Sequence, residues 1–428
     1  MGGLKGKTRS ILPRGIAAFR PVAVAQKRGI ERELLSIFSQ WGYEEVIPPI
    51  FEYLDVLADG LDEEMITKGY KVVDRGTGRL LILRPDVTPQ IARMAATLMR
   101  DRPLPLRLCY SANVFRDEEE HAGRERELFQ IGCELIGLEA PQADAEIIAI
   151  AIETLRHLGL RHFKLAIGQV EFFRGFLEGL RLSPQIQKKI RNAMARKESS
   201  ELREIIQQAR IPSKVAEKIL AVPELFGKAE VLKQAGHLVN GSATERALAR
   251  LEEVYQLLVD YGYREHLIID LGEIRGFDYY TGIVFEVFAK GLGYAFGGGG
   301  RYDQMLGKFG YDCPSTGFAF DLERLYNVLK QAEGAANDHP LNYLITNSSK
   351  QAVRAFQLAK ALREKGCRVT LRTWNGDFSD TIRYARGIGV EKVLLLEDQE
   401  RASDEVVLLD CRNGSRKRFK GRKVLEIL

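Results

Sequence analysis

The chain has no apolar run approaching the roughly 20 residues that span a bilayer, and its basic start, Met1 to Arg20, lacks the apolar stretch of a signal peptide. No membrane partner is expected, and the predicted location is cytoplasmic. Cysteine is scarce and scattered: Cys109, Cys133, Cys313, Cys367 and Cys411 are odd in number and form no Cys-x-x-Cys pair. That pattern predicts reduced, mostly buried thiols and argues against a disulfide framework or a zinc site. Charge of one sign is also lacking, since a net +5 over 428 residues says little about partners. What remains is ordinary soluble composition, 45% hydrophobic and 28% charged. The length exceeds what one hydrophobic core usually serves, so two or more domains are expected.

Four textures follow one another along the chain. Ala23 to Tyr43 shows helical spacing that stops at Gly42, and Glu45 to Pro49 reads as a short strand ending at prolines. Leu80 to Gly137 is strand-rich with a helix after Pro89; Asp144 then looks like an N-cap for a helix through Leu158, closed by Gly159. From about 168 to 261 the chain turns helical and dense in Lys, Arg, Glu and Gln, which predicts a helical insertion. Strands resume at Leu267 and end in a helix from about Asp321 to Gln331. After a linker at 334–340, alternating strands and helices over 341–428 predict a small α/β domain, set apart from a core over 1–333. Its last stretch, Arg412 to Leu428, holds seven Lys or Arg against one Glu. This is either an RNA-binding surface or a solvated hairpin face.

The chemistry concentrates in five places. Between Glu273 and Asp303 an arginine, two tyrosines and the run Gly297 to Gly300 suit a small zwitterion. Guanidinium pairs with carboxylate, phenols bond a polar side group, and glycines let backbone approach. Arg84-Pro-Asp-Val-Thr88 puts a carboxylate and a hydroxyl at a strand end, where Asp86 is either a ligand contact or a cap for the following helix. Val114-Phe-Arg-Asp-Glu118 forms a charged loop. In Leu128 to Glu134, period two places Gln130, Gly132 and Glu134 on one strand face. An amide, a gap and a carboxylate there form either a binding wall or a simply wet face. Gly317-Phe-Ala-Phe-Asp-Leu-Glu-Arg324 is the fifth.

Taken in order, these pieces resemble the class II aminoacyl-tRNA synthetases. Arg116 to Gln130 is similar to their motif 2 and Gly317 to Arg324 to motif 3, while Arg275-Gly-Phe-Asp-Tyr-Tyr280 and Gly299-Gly-Arg-Tyr-Asp303 resemble the two histidine signatures of histidyl-tRNA synthetase. The resemblance implies an α+β fold: a six- to seven-stranded antiparallel sheet flanked by helices, dimerising through its N-terminal region, with a C-terminal unit like an anticodon-binding domain. It also implies a histidine pocket with Asp86, Thr88 and Gln130 around the α-amino group, Glu134 and Tyr280 at the imidazole, Arg275 near the carboxylate, and Tyr302 closing it. Arg116, Glu118 and Arg324 match the ATP-binding set.

Two departures weigh against synthetase activity. The loop that would meet tRNA carries six acidic and two basic side chains from Asp117 to Glu127, opposing a polyanion. Motif 3 has Asp321 where the synthetases place a glycine against the nucleotide. Leu83-Arg-Pro-Asp-Val-Thr-Pro-Gln-Ile-Ala-Arg93 and Ala143-Asp-Ala-Glu146 resemble instead the regulatory subunits of ATP phosphoribosyltransferase. That resemblance implies a non-catalytic role: binding histidine as effector at the first step of histidine biosynthesis, as a homodimer inside a hetero-oligomer with the short-form catalytic subunit. No catalytic residue, cofactor or metal is implied, the nucleotide site would be vestigial, and tRNA is not an expected partner. An active histidine–tRNA ligase is the alternative, and a free-standing histidine sensor a third reading.

Overall fold

The computed structural model describes residues 12–117, 125–180, 182–196, 198–272, 280–332, 342–347, 351–373, 378–396 and 405–420. Among sequence-predicted positions, Glu118, Arg275, most of the acidic loop and the 334–340 linker lie outside the described residues. The chain divides into two compact units, Met1–Gly334 and Ala335–Leu428.

In the first unit the strands are β1 (Glu44–Glu45), β2 (Phe51–Tyr53), β3 (Lys71–Val73), β4 (Leu80–Leu83), β5 (Leu106–Phe115), β6 (Glu127–Ile136), β7 (Phe163–Gln169), β8 (Phe226–Gly227), β9 (Leu267–Asp270), β10 (Ile283–Ala289), β11 (Gly297–Arg301) and β12 (Ser315–Asp321). Nine of them form one sheet in the order β1-β5-β6-β12-β11-β10-β7-β9-β8. From β5 to β7 every neighbour is antiparallel. The sheet is therefore larger than expected and mixed, because β1 joins β5 and β9 joins β7 in parallel. A separate sheet, β2-β4-β3, stands beside it.

Period-two burial explains the layering. Ile131 and Cys133 of β6, Leu165 and Ile167 of β7, Phe285 and Val287 of β10, and Phe318 and Phe320 of β12 pack in one large core with apolar side chains of the helix Pro141–His157. The helix Pro21–Gln40 adds Leu34 and Phe38. The other face carries polar groups, and it holds the candidate site. Within the predicted insertion, the helices Val170–Gly179 and Ser242–Asp260 are separated along the chain by four others, Pro184–Ala195, Ser199–Gln208, Ser213–Ala221 and Glu230–Gly236. The second unit has a five-stranded sheet, β14-β13-β15-β16-β17, built from Asn342–Asn347 (β13), Arg368–Thr373 (β14), Lys392–Leu396 (β15), Glu405–Asp410 (β16) and Arg416–Lys420 (β17). Gly414, with φ 72°, turns its last hairpin, as the Asn413-Gly414 pair predicts. All five cysteines are free and four are buried. Among the described residues no helix is long and apolar enough to cross a membrane.

Asp144 is not the N-cap it was expected to be. The helix begins at Pro141, whose fixed φ suits the first turn, which leaves Asp144 inside that turn and 2% exposed. There its carboxylate accepts from Arg301 Nε at 2.9 and 3.2 Å, with Arg250 3.4 Å away. Burial raises the Asp144 pKa, and the Arg301 charge opposes that rise. Arg301 also donates to Asp303 at 3.0 Å, so one buried guanidinium ties the end of β11 to a core helix and to the turn after Tyr302. Asp144→Ala would leave Arg301 buried with only Asp303 as a counter-charge, and a loss of about 3–5 kcal/mol is expected; chemical denaturation that finds less than 1 kcal/mol would remove the pair from this role.

Candidate functional site

On the polar face of the large sheet lies a cavity of about 360 Å³ lined by Asp86, Thr88, Arg116, Gln130, Glu134, Tyr280, Tyr302, Asp321 and Arg324, among others. Every described member of the predicted histidine set faces this one space. Four chain segments supply them: the stretch from the turn after β4 to the first residue of the helix Thr88–Leu98 gives Asp86 and Thr88, β6 gives Gln130 and Glu134, the segment just before β10 gives Tyr280, and the residue after β11 is Tyr302.

Glu134 is the centre. It is 1% exposed, its Oε1 accepts from Thr88 Oγ at 2.6 Å and its Oε2 from Tyr302 OH at 2.5 Å. Burial lifts its pKa to about 8 even though both hydroxyls favour the charged form. Room for the carboxyl comes from β12, where a Cβ on Gly317 would stand 1.7 Å from Glu134 Oε2. Gly132 plays a different part from the expected gap in the wall. A Cβ there would meet Phe318 O at 2.2 Å, so its missing side chain lets β6 and β12 close up and does not open the cavity.

Gln130 Oε1 is buried and makes no hydrogen bond among the described residues. A buried acceptor left open costs free energy, and here it borders a cavity where an N–H from a ligand would satisfy it. Asp86 is not the helix cap that was one of its two expected roles: the helix Thr88–Leu98 has Val87 at its N-cap and no side-chain cap bond. Asp86 Oδ1 accepts from Val87 N at 2.7 Å, and the residue lines the cavity. Burial raises its pKa against the charge of Arg116. Burial also pushes the Tyr280 phenol up.

The part of the cavity at Asp321 and Arg324 differs. Asp321 Oδ1 accepts from the backbone N–H of Glu323 and Arg324, both at 3.1 Å, capping the helix Leu322–Ala332. Its Oδ2 meets Arg324 Nε at 2.9 Å, and Arg324 Nη1 donates to Ala295 O at 2.9 Å. The Arg324 guanidinium is thus engaged within the protein. Arg116 is present too, with Nε donating to Pro85 O at 2.7 Å.

With this geometry in view, comparison with known proteins is specific. The histidyl-tRNA synthetase family model matches residues 15–325. The ATP phosphoribosyltransferase regulatory subunit of Syntrophotalea carbinolica is 38% identical over 97% of this chain and 96% of its own, that of Geobacter sulfurreducens 36% over 96% and 94%, and that of Moorella thermoacetica 42% over 84% and 91%. The chain belongs to the ATP phosphoribosyltransferase regulatory-subunit family. A Bacillus halodurans structure described as an ATP phosphoribosyltransferase regulatory subunit/histidyl-tRNA synthetase superposes with TM-score 0.79 at 29% identity, covering 90% of this chain and 97% of that one. Histidyl-tRNA synthetase from Nostoc shares the fold, at TM-score 0.81 and 21% identity over 97% and 98% of the two chains. The class II synthetase-like fold with a small C-terminal α/β unit is therefore established, and with it a non-catalytic subunit of histidine biosynthesis.

Sequence reasoning missed Gly317 as the residue that admits Glu134, and Asp144 as the anchor of the β11 end. Both lay inside recognised stretches, but neither partner was visible until β6, β12 and β11 were laid side by side. An acid with a raised folded pKa binds its proton more tightly when folded, so its stabilising contribution is complete below the unfolded value and is lost as pH rises. The ligand-free protein is expected to melt at progressively lower temperature between about pH 4.5 and 8. Glu134→Gln should flatten part of that slope, with Glu125, raised to about 8 by burial and by Glu323 beside it, supplying another part; an unchanged slope in calorimetric scans would refute the assignment.

Proposed function

We propose that this regulatory subunit binds histidine in the cavity around Glu134 and transmits its occupancy to the short-form catalytic subunit of ATP phosphoribosyltransferase. The observation that carries this reading is the contrast within one cavity. Gln130 Oε1 is a buried acceptor without a hydrogen bond among the described residues, and the Asp86 carboxyl lines the same cavity, whereas Arg324, of the set that matches ATP binding, is paired to Asp321. The acceptors suit an α-ammonium. The Glu134 carboxylate, oriented by Thr88 and Tyr302, suits an imidazole N–H, with Tyr280 beside it.

Because burial keeps the proton on Glu134 up to about pH 8, a ligand that needs the carboxylate must displace that proton. Calorimetry at pH 7 in buffers of different ionisation enthalpy should therefore show proton release on histidine binding, and Glu134→Gln should weaken binding by about 1.5–3 kcal/mol, the worth of a hydrogen bond to a charged group. Equal affinity in the variant would take Glu134 out of the pocket. The same protein should support no histidine-dependent pyrophosphate exchange with ATP; robust exchange would instead favour the ligase.

The dimer is part of the proposal. Register places Phe51 and Tyr53 of β2, Leu81 and Leu83 of β4 and Val72 of β3 on one face of the small sheet, while Ile82 on the other packs with Leu57 and Leu61. Phe51 is 55% and Val72 53% exposed. A contiguous apolar face of this kind marks an interface, and a second copy can supply the same face in a closed twofold contact. Phe51→Asp should shift the protein from dimer to monomer in sedimentation at micromolar concentration, and a dimer unmoved by the change would place the contact elsewhere.

A further inference from the structure

The sheet face that carries the Glu134 cavity does not end there. Beyond β10 it continues across β7, β9 and β8, where Ala166 stands opposite both Glu286 and Ile268, Lys164 opposite Phe288, and Phe226 opposite Asp270. The opposite face of these strands is covered in the main core, through Leu165, Ile167, Leu267 and Ile269. On the near face Ala166, Ile268, Phe288 and Phe226 instead line a cavity of about 610 Å³. Phe226 is 57% exposed.

A buried polar atom borders this apolar floor. His266 is 4% exposed and stacks on Phe163 with ring centroids 4.2 Å apart. Its Nδ1 lies 3.4 Å from Phe163 O; a carbonyl only accepts, so Nδ1 carries the proton and Nε2 of the neutral ring is an acceptor. Nε2 is buried and makes no hydrogen bond among the described residues. The exposed Glu265 carboxylate, 3.4 Å away, is a second acceptor facing it. At 3.4 Å no atom fits between them, so a donor presented from the cavity would bond Nε2 and can share its hydrogen with Glu265. Around the mouth, exposed Arg161, Lys164 and Lys290 outnumber exposed Glu265, while Asp270 is buried and bonds Gly272 N at 3.0 Å.

We propose that this open face docks the catalytic subunit, taking a segment in which a Tyr or Trp side chain fills the cavity and flanking carboxylates meet the basic rim. The apolar floor calls for a ring, the paired acceptors for an O–H or N–H on it, and the rim for acidic neighbours. Aromatic anchors in desolvated pockets are how protein interfaces concentrate their affinity. The inference rests on the regulatory-subunit reading above. It also puts the partner next to the effector, since Glu286, opposite Ala166, borders the Glu134 cavity.

The test uses the full chain and its catalytic subunit, with titration calorimetry for assembly and, separately, for histidine on the isolated chain. Phe226→Asp and the double change Arg161→Glu with Lys290→Glu are exposed and should leave histidine affinity unaltered, while each raises the assembly Kd at least tenfold; the charge reversal should also reduce the salt dependence of assembly. His266→Phe keeps a ring on Phe163 but removes the acceptor, and should weaken assembly several-fold. Assembly as tight as wild type in Phe226→Asp and in the charge reversal overturns the proposal, as does a parallel loss of histidine binding, which would mean the changes act through the fold. A wild-type chain that ignores histidine, with assembly still lost in the variants, would sink the effector reading and leave this docking face standing.

Discussion

Everything in the candidate site turns on burying one carboxyl group in the middle of an antiparallel sheet. Glu134 sits on β6 with 1% exposure, and such a group is tolerated only when it is hydrogen-bonded and its charge is suppressed or paired. Both conditions are met locally. Two hydroxyls hold its oxygens, and burial keeps the proton on to about pH 8. The surrounding architecture follows from that demand: Gly317 must lack a side chain for the carboxyl to fit, and Tyr302 must be held at the end of β11, which the buried pair of Arg301 with Asp144 achieves.

The same economy explains how a synthetase-like fold serves a non-catalytic subunit. One substitution in β12, Asp321, caps the following helix through two backbone N–H groups and pairs with Arg324. That arrangement stabilises the helix start and holds the Arg324 guanidinium against Asp321. Along the β6–β12 ladder Asp321 stands opposite Gln130, while Glu134, four residues further on, stands opposite Gly317.

Much of the site was legible in the chain. The alternation in Leu128 to Glu134 correctly divides a core face, with Ile131 and Cys133, from a cavity face with Gln130 and Glu134, since a strand allows no other arrangement. The helix after Pro89, the stop at Gly159 with φ 81° and the Asn413-Gly414 turn were legible for equally local reasons. Errors arose where a long-range partner decides the role. Asp144 before a helical run reads as a cap, yet it is spent on Arg301, 157 residues away. Gly132 reads as a gap in a wall, yet it serves the approach of Phe318. The resemblance implied a smaller, purely antiparallel sheet; the parallel additions, β1 at one edge and β9 inside the β8 edge, are short strands with little periodicity of their own.

By itself the sequence determined the class of fold, the family and a set of polar side chains that share the cavity, Asp86, Thr88, Gln130, Glu134, Tyr280 and Tyr302 among them, because strand alternation and signature spacing are local and survive without coordinates. Tertiary structure alone decided what those side chains do to one another. A carboxyl acquires a pKa near 8, an arginine is neutralised by the aspartate three residues before it, and the far end of one sheet face stays open beside His266. Burial, pairing and exposure depend on which distant segments share a neighbourhood, and spacing along a chain does not encode that.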